Sequence, residues 1–369
     1  MESRIGGVLR HVLELARGIR GLPDAADVTI DIEAGWHHSP ITARDLPAGV
    51  FHGRRVPRFR GSARILSCLD QFRLRRRLAA ITDTDVVLHE TLYGNVFCAP
   101  RELKRVVVVH DTIWEDGPDR DRHHRALQKK AASIAAADGV IFVSEATRAG
   151  FERHYATPRR SAVIHHGCEL RTRRDRQTTP VPGPFLLFVG KRDGYKNWRM
   201  LASSFSACEL SRSHSFVSFG PRPTQAEQNF VASLGCASRF LWLGGDDDVL
   251  ADLYAAADCF VYPSRAEGFG IPLVEAAKFG CPVACSDIAP FREVLGEDST
   301  YFDPTESSSI GAAITTVVAA GRTSPASIGA LRRSEQYSWR KSAAATLAFY
   351  RDVLADRGVS PPSSPELPK

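Results

Sequence analysis

Cys259-Phe-Val-Tyr-Pro-Ser-Arg-Ala-Glu-Gly-Phe-Gly-Ile-Pro-Leu-Val-Glu-Ala-Ala-Lys-Phe-Gly-Cys-Pro-Val-Ala-Cys-Ser286 is the most informative stretch of the 369-residue chain. Its first four residues form an apolar run of strand length that ends at Pro263-Ser264. A loop, Arg265 to Gly270, leads into a helix expected to open at Ile271-Pro272 and to close at Gly280. Proline just inside the start and glycine just past the end follow the asymmetry of helix termini. Pro282 prevents continuation, and Pro282 to Ser286 reads as the next strand. Free N–H groups and partial positive charge at such a helix start suit phosphate or sugar oxygens. Glu267 and Glu275 flank the start, eight residues apart. Carboxylates are good acceptors for vicinal hydroxyls. Taken singly, Glu275 would be an ordinary favourable charge near a helix N-terminus and Glu267 a solvated loop acid.

Outward from this block, short apolar runs alternate with helix-period segments, which predicts α/β architecture with parallel sheets. Strands are expected at Val28 to Ile32, Val86 to His89, Val106 to His110, Val140 to Ser144 and Ala162 to His165. After a polar, Pro-rich linker at Arg171 to Pro184 the alternation restarts, with strands at Phe185 to Val189, Ser215 to Phe219, Phe240 to Leu243 and Cys259 to Tyr262. Two Rossmann-like domains follow, residues 1–180 and 184–338, with a terminal helix over 339–355 and a disordered tail over 356–369. A nucleotide-binding fold opens with a strand before its glycine turn. Here Gly6-Gly7 arrives at once, so the first strand is expected to be missing, with the true start upstream.

A hydrophobic content of 43% and a charged content of 24% fit a soluble globular protein. No apolar run approaches the roughly 18 residues of a membrane span. The eight cysteines are scattered, with no Cys-x-x-Cys pair, and read as small buried thiols of a reducing cytosol. Residues 1–180 carry 30 Lys/Arg against 22 Asp/Glu. Clusters such as Arg73 to Arg77 suit either a solvated surface or contact with anionic lipid headgroups or a phosphorylated acceptor. They lack the aromatic platform of a nucleic-acid site.

Two further constellations close strands. Gly190-Lys-Arg-Asp-Gly-Tyr-Lys-Asn197 places Lys191, Arg192 and Lys196 in one turn at a strand's carboxyl end, where α/β sheets bind ligands. These cations could hold a diphosphate and stabilise charge as it leaves; a basic surface loop is the alternative. His110-Asp111 closes another strand as a catalytic candidate or as a hydrogen-bonded structural histidine.

Together, and in this order, these blocks resemble the group 1 (family 4) retaining glycosyltransferases with the GT-B fold, two Rossmann-like domains facing across a cleft, and in particular bacterial polysaccharide and mannosyltransferase-like members. Glu267 to Glu275 resembles that family's Glu-x7-Glu motif, Val189 to Asn197 its donor pyrophosphate loop, and Ile5 to Arg10 its N-terminal glycine loop. The resemblance implies that Glu267 contacts donor sugar hydroxyls and that Glu275 holds ribose hydroxyls. It implies that Phe269, Gly270 and Ile271 meet sugar and phosphates through their backbone. Lys196, with Lys191 or Arg192, would neutralise the pyrophosphate. Gly6 and Gly7 would approach the phosphates from the other domain, and His110 would sit near the transferred sugar. Lys191 stands where many members have arginine, with Arg192 beside it, so the choice of cation stays open.

The implied activity is metal-independent transfer of a hexose, with retained configuration, from a nucleotide diphosphate sugar to a glycan or lipid-linked oligosaccharide in surface polysaccharide synthesis. No cofactor is expected beyond that co-substrate, for which GDP-mannose is the guess and UDP- or dTDP-sugars stay open. The expected location is cytoplasmic, with room for peripheral contact at the inner face of the plasma membrane. Three alternatives remain: a nucleotide-sugar epimerase of the same architecture, a non-catalytic sugar-nucleotide binding protein, and an NAD(P)-dependent oxidoreductase. The last is suggested by Gly268-x-Gly270 opening a helix, with Asp287 about twenty residues on.

Overall fold

The computed structural model describes residues 7–37, 50–56, 62–82, 85–91, 103–118, 120–170, 181–192, 194–297 and 299–356. The chain passes from one compact unit to another between His165 and His166, and returns between Ser338 and Trp339. Most of the expected linker, residues 171–180, lies outside the described residues, as do Gly6 and the tail beyond 356.

In the first unit, β1 (Ile32–His37) pairs in parallel with β2 (Phe51–Arg55). β3 (Val87–Glu90), β4 (Lys104–Val109), β5 (Gly139–Phe142) and β6 (Ser161–Val163) form a parallel sheet in chain order. Among the described residues no strand joins the two sheets. The strand expected at Val28 to Ile32 instead begins at Ile32. Val28 and Ile30 pack, in irregular backbone, against a cluster that includes Leu15, Ile19, Leu22 and Leu347. Their apolar character therefore reflects packing rather than pairing.

The helix Gly7–Arg20 buries His11, Leu13, Leu15, Ala16 and Ile19 on one face, the spacing of an amphipathic helix. Gly18 lets it approach the terminal helix Trp339–Ala355: a Cβ there would lie 2.8 Å from the Ala343 Cβ. The same terminal helix sets Phe349 and Val353 over Gly139 at the start of β5, so it is counted with the first unit.

The second unit carries β7 (Phe185–Val189), β8 (Ser215–Phe219), β9 (Phe240–Leu243), β10 (Cys259–Tyr262), β11 (Val283–Ser286) and β12 (Thr300–Phe302). All pair in parallel, in the order β12-β11-β10-β7-β8-β9. This is the doubly wound order 3-2-1-4-5-6, with β7 as the first strand and β10 as the fourth. β7, β10 and β11 are buried throughout, which is why they read as unbroken apolar runs. Helices such as Trp198–Ala207 and Ser307–Ala320 cover one face, bringing Trp198, Phe205, Ile310 and Ile314 into one core with Phe216 and Phe240.

Candidate functional site

In an open parallel sheet, ligands bind beyond the carboxyl ends of the strands where the winding direction reverses. Here that point lies between the neighbours β7 and β10. The loop after β7 carries Lys191 to Asn197, and the loop after β10 carries Pro263 to Gly270. Strand order thus brings two motifs that are distant in sequence to one edge.

They meet through hydrogen bonds. Lys196 Nζ donates to Glu267 Oε1 at 2.5 Å and to the Tyr262 hydroxyl at 2.9 Å. The Arg265 amide donates to the Tyr195 carbonyl at 2.8 Å, tying one loop to the other. The ammonium lies 5.2 Å and 5.1 Å from the ring centroids of Tyr195 and Tyr262, within cation–π range. Burial, and then the charge of Glu267, push the Tyr262 phenol well up, so it stays neutral. The β7 loop is shaped by Asn197, whose left-handed backbone (φ 55°) ends the turn and whose Nδ2 donates to the Pro304 carbonyl at 2.7 Å. Asparagine is among the few residues that tolerate this conformation.

The helix after the β10 loop spans Ile271–Lys278, capped by Gly270 at φ 102° and with proline in its first turn. Its far end closes as a Schellman motif: the Gly280 amide donates to Ala277 and the Cys281 amide to Ala276. Phe269 is buried, with ring contacts at 5.4 Å to His166 and to Tyr337. This anchors the loop through the Phe269 side chain. Glu275 is buried at 2% exposure and accepts from the Tyr254 hydroxyl at 3.1 Å.

Arg192, the neighbouring cation, is buried. Its guanidinium is engaged within the fold: Nε donates to Glu227 Oε1 at 2.8 Å, Nη2 donates to the Arg222 carbonyl at 3.0 Å, and the group lies 5.0 Å over Trp242. Burial would raise the Glu227 carboxyl, but its bonds from Arg192 and Thr224 outweigh that and hold it below its usual range. Lys191, by contrast, is exposed. Of the two adjacent cations, Arg192 is held by Glu227 and Arg222, with its Nη1 buried and without a hydrogen-bond partner among the described residues, and Lys191 is exposed.

The remaining candidates belong to the first unit. Gly7 opens its helix, with nothing within 4 Å of where a Cβ would stand; Gly6 is not described. His110 follows β4, with its ring edge-on to His11 at 5.2 Å. His11 also stacks near His89 at 5.9 Å. Among the described residues no group of three or more His, Cys, Asp or Glu is placed to hold a metal ion, and no helix is long and apolar enough to cross a membrane.

Sequence reasoning missed Tyr262, Tyr254, Glu227, Trp242 and His11. Only Tyr262, as the last residue of its strand, carried a local signal. The dinucleotide reading loses its ground. Gly268-x-Gly270 follows β10, the fourth strand, whereas a dinucleotide fingerprint occupies the first βα turn.

Comparison with known proteins agrees with this layout. Residues 5–172 match the family model Glycosyltransferase Family 4, and residues 183–320 match Glycosyl transferases group 1. O-antigen chain mannosyltransferase B of Escherichia coli is 26% identical over 322 residues, 81% of this chain and 83% of that protein. A D-inositol 3-phosphate glycosyltransferase of Geodermatophilus obscurus is 27% identical, covering 94% of this chain and 84% of its own. Among solved structures, WaaG, a glycosyltransferase involved in lipopolysaccharide biosynthesis, superposes with a TM-score of 0.70 at 17% identity, over 96% of this chain and 98% of its own. Anabaena Alr3699/HepE, solved with UDP and glucose, gives 0.69 at 17% identity, over 94% and 97%. With its two halves matching these two models in turn, the chain belongs to the group 1 (family 4) glycosyltransferases and has their GT-B fold.

Proposed function

We propose that this glycosyltransferase moves a hexose, mannose first among the candidates, from a nucleotide diphosphate sugar to a glycan or lipid-linked acceptor, with retention of anomeric configuration. The observation that carries this reading is the meeting of Lys196 and Glu267 at the sheet's switch point, beside a glycine-capped helix start. The cation suits a diphosphate, and the carboxylate suits sugar hydroxyls. The acceptor hydroxyl would attack the anomeric carbon on the face from which the nucleoside diphosphate departs. The new C–O bond forms as the C–O bond to phosphate breaks, and the acceptor proton passes to the departing diphosphate. Lys196, Lys191 and the helix N–H groups would stabilise that leaving group, with no metal ion required. Glu275 would hold ribose hydroxyls, and His110 would serve the transferred sugar.

The activities of relatives support mannose and a surface-polysaccharide acceptor: O-antigen chain mannosyltransferase B is similar over most of this chain, and a lipopolysaccharide core biosynthesis mannosyltransferase of Rhizobium meliloti over 65 residues, 18% of each chain. Peripheral contact with an anionic membrane has its own support in the helix Ser62–Ala79, which exposes Leu69 and Phe72 beside Arg75, Arg76 and Arg77. Exposed apolar groups flanked by cations suit a headgroup boundary.

The test is a panel of GDP-, UDP- and dTDP-sugars screened by thermal shift, followed by transfer assays in the presence of a chelator. GDP-mannose is expected to stabilise the protein and Glu275→Ala to abolish the shift. NMR of the product should show the donor's anomeric configuration. Inversion, or a strict requirement for divalent metal, would refute the mechanism. Vesicles with and without anionic lipid test the membrane contact.

A further inference from the structure

The first unit buries an ion pair that the proposed chemistry does not use. Lys130 Nζ lies 2.5 Å from Glu115 Oε1, and each side chain is 3% exposed. The Tyr155 hydroxyl donates to the same carboxylate oxygen at 2.8 Å. Burial, and then Glu115, push the Tyr155 phenol up, so it remains a donor. The other oxygen, Glu115 Oε2, is buried with no hydrogen-bond partner among the described residues. A buried pair that leaves a lone oxygen unsatisfied is a poor source of stability, since well-packed apolar residues often do as well or better. The pair therefore calls for an explanation in geometry.

Lys130 supplies one. Its ammonium also donates to the backbone carbonyl of Asp111 at 2.7 Å. Asp111 follows His110 directly, and its Oδ1 accepts from the Ile113 amide at 3.1 Å, closing the turn that leads into Ile113–Asp116. Glu115 lies on that short helix, Lys130 on His124–Ala135, and Tyr155 beyond Glu145–Glu152. Three segments thus converge on one ion pair, whose ammonium holds the peptide group next to His110. His110 itself is flanked by the His11 ring at 5.2 Å.

We infer that Lys130 is a positioning residue: oriented by Glu115 and Tyr155, it holds the Asp111 carbonyl and so sets the place of His110 for sugar transfer. This deepens the proposed function and rests on it for the role of His110. Lys130 touches no substrate. A peptide displaced by about 1 Å near reacting groups can cost about a hundredfold in rate.

The test compares the wild type with the double variant Glu115→Leu/Lys130→Met, which removes both charges together. Lys130→Met alone would leave a buried carboxylate without its cation and could unfold the unit. Two readouts are taken: hydrogen exchange of residues 110–113 alongside thermal midpoint, and steady-state transfer from GDP-mannose. The inference expects exchange in 110–113 to rise at least about tenfold, with the thermal midpoint kept within a few degrees. It expects kcat to fall about 10- to 100-fold with donor KM within about threefold. Unchanged exchange, or a kcat kept within about twofold, overturns it. A wild type that transfers no sugar sinks the functional reading instead, and the exchange measurement still decides whether Lys130 sets this turn.

Discussion

Lys196 Nζ stands 2.5 Å from Glu267 Oε1, a contact made across 71 residues of sequence. Without a donor, Glu267 offsets the charge that Lys196 would otherwise offer to a diphosphate. Substitutions of the two should therefore differ in diphosphate binding while both lower sugar transfer. Lys196→Met is expected to weaken GDP binding and to lower kcat/KM about 10²- to 10³-fold, as loss of a charge-stabilising group does. Glu267→Gln is expected to lower transfer while GDP binds as well or more tightly. Calorimetry with GDP and steady-state rates check both. A Lys196→Met protein that binds GDP normally would remove the assigned role.

Arg192 and Lys191 are neighbours in different surroundings, one buried and one exposed. Arg192→Ala deprives Glu227 of its cationic partner and uncovers Trp242, so it should cost about 1–3 kcal/mol in unfolding free energy. Lys191→Ala, at an exposed side chain, should leave stability within about 0.5 kcal/mol, yet weaken GDP binding. Denaturant unfolding and calorimetry on the two proteins decide between this division of labour and its reverse.

Gly270 caps the helix Ile271–Lys278 at φ 102°, where a Cβ would stand 3.0 Å from the Phe291 ring. Gly270→Ala is expected to destabilise the second unit by about 1–3 kcal/mol and to shift the helix start enough to weaken donor binding. Thermal denaturation with and without GDP-mannose reads both effects. An unchanged midpoint would mean that this loop relaxes freely.

His89 has its Nε2 sealed from solvent and its Nδ1 2.5 Å from the Tyr350 hydroxyl, with His11 stacked alongside. Burial holds its pKa down to about 4 from 6.5. The unfolded chain then takes up this proton at higher pH than the folded one, so stability falls as pH drops from about 6.5 toward 4. The depression corresponds to about 3 kcal/mol at most. Unfolding followed across that window should show this slope in the wild type and a flatter one in His89→Asn. Equal slopes would assign the acid sensitivity to other groups.

Much of the second unit was legible because its signals are local. The apolar run Cys259 to Tyr262, the Gly270 cap, Pro272 and the Gly280 stop each act within a few residues, and the structure follows them almost to the residue. The first unit was harder to read. Val28 and Ile30 have strand chemistry but serve a helix-packed cluster, because their partners Leu15 and Leu347 lie far away in sequence.

From the chain of letters alone came the alternating architecture, the Glu-x7-Glu block and the family resemblance, all carried by short-range propensity and spacing. Three-dimensional packing decided which partners each charge finds. Arg192 and Lys196 sit in one turn and look alike in one dimension. The guanidinium finds Glu227, after β8, and Trp242, on β9, while the ammonium finds Tyr262, at the end of β10, and Glu267 just beyond it. Partners of that kind are chosen by strand order, a long-range property that no window of neighbouring residues encodes.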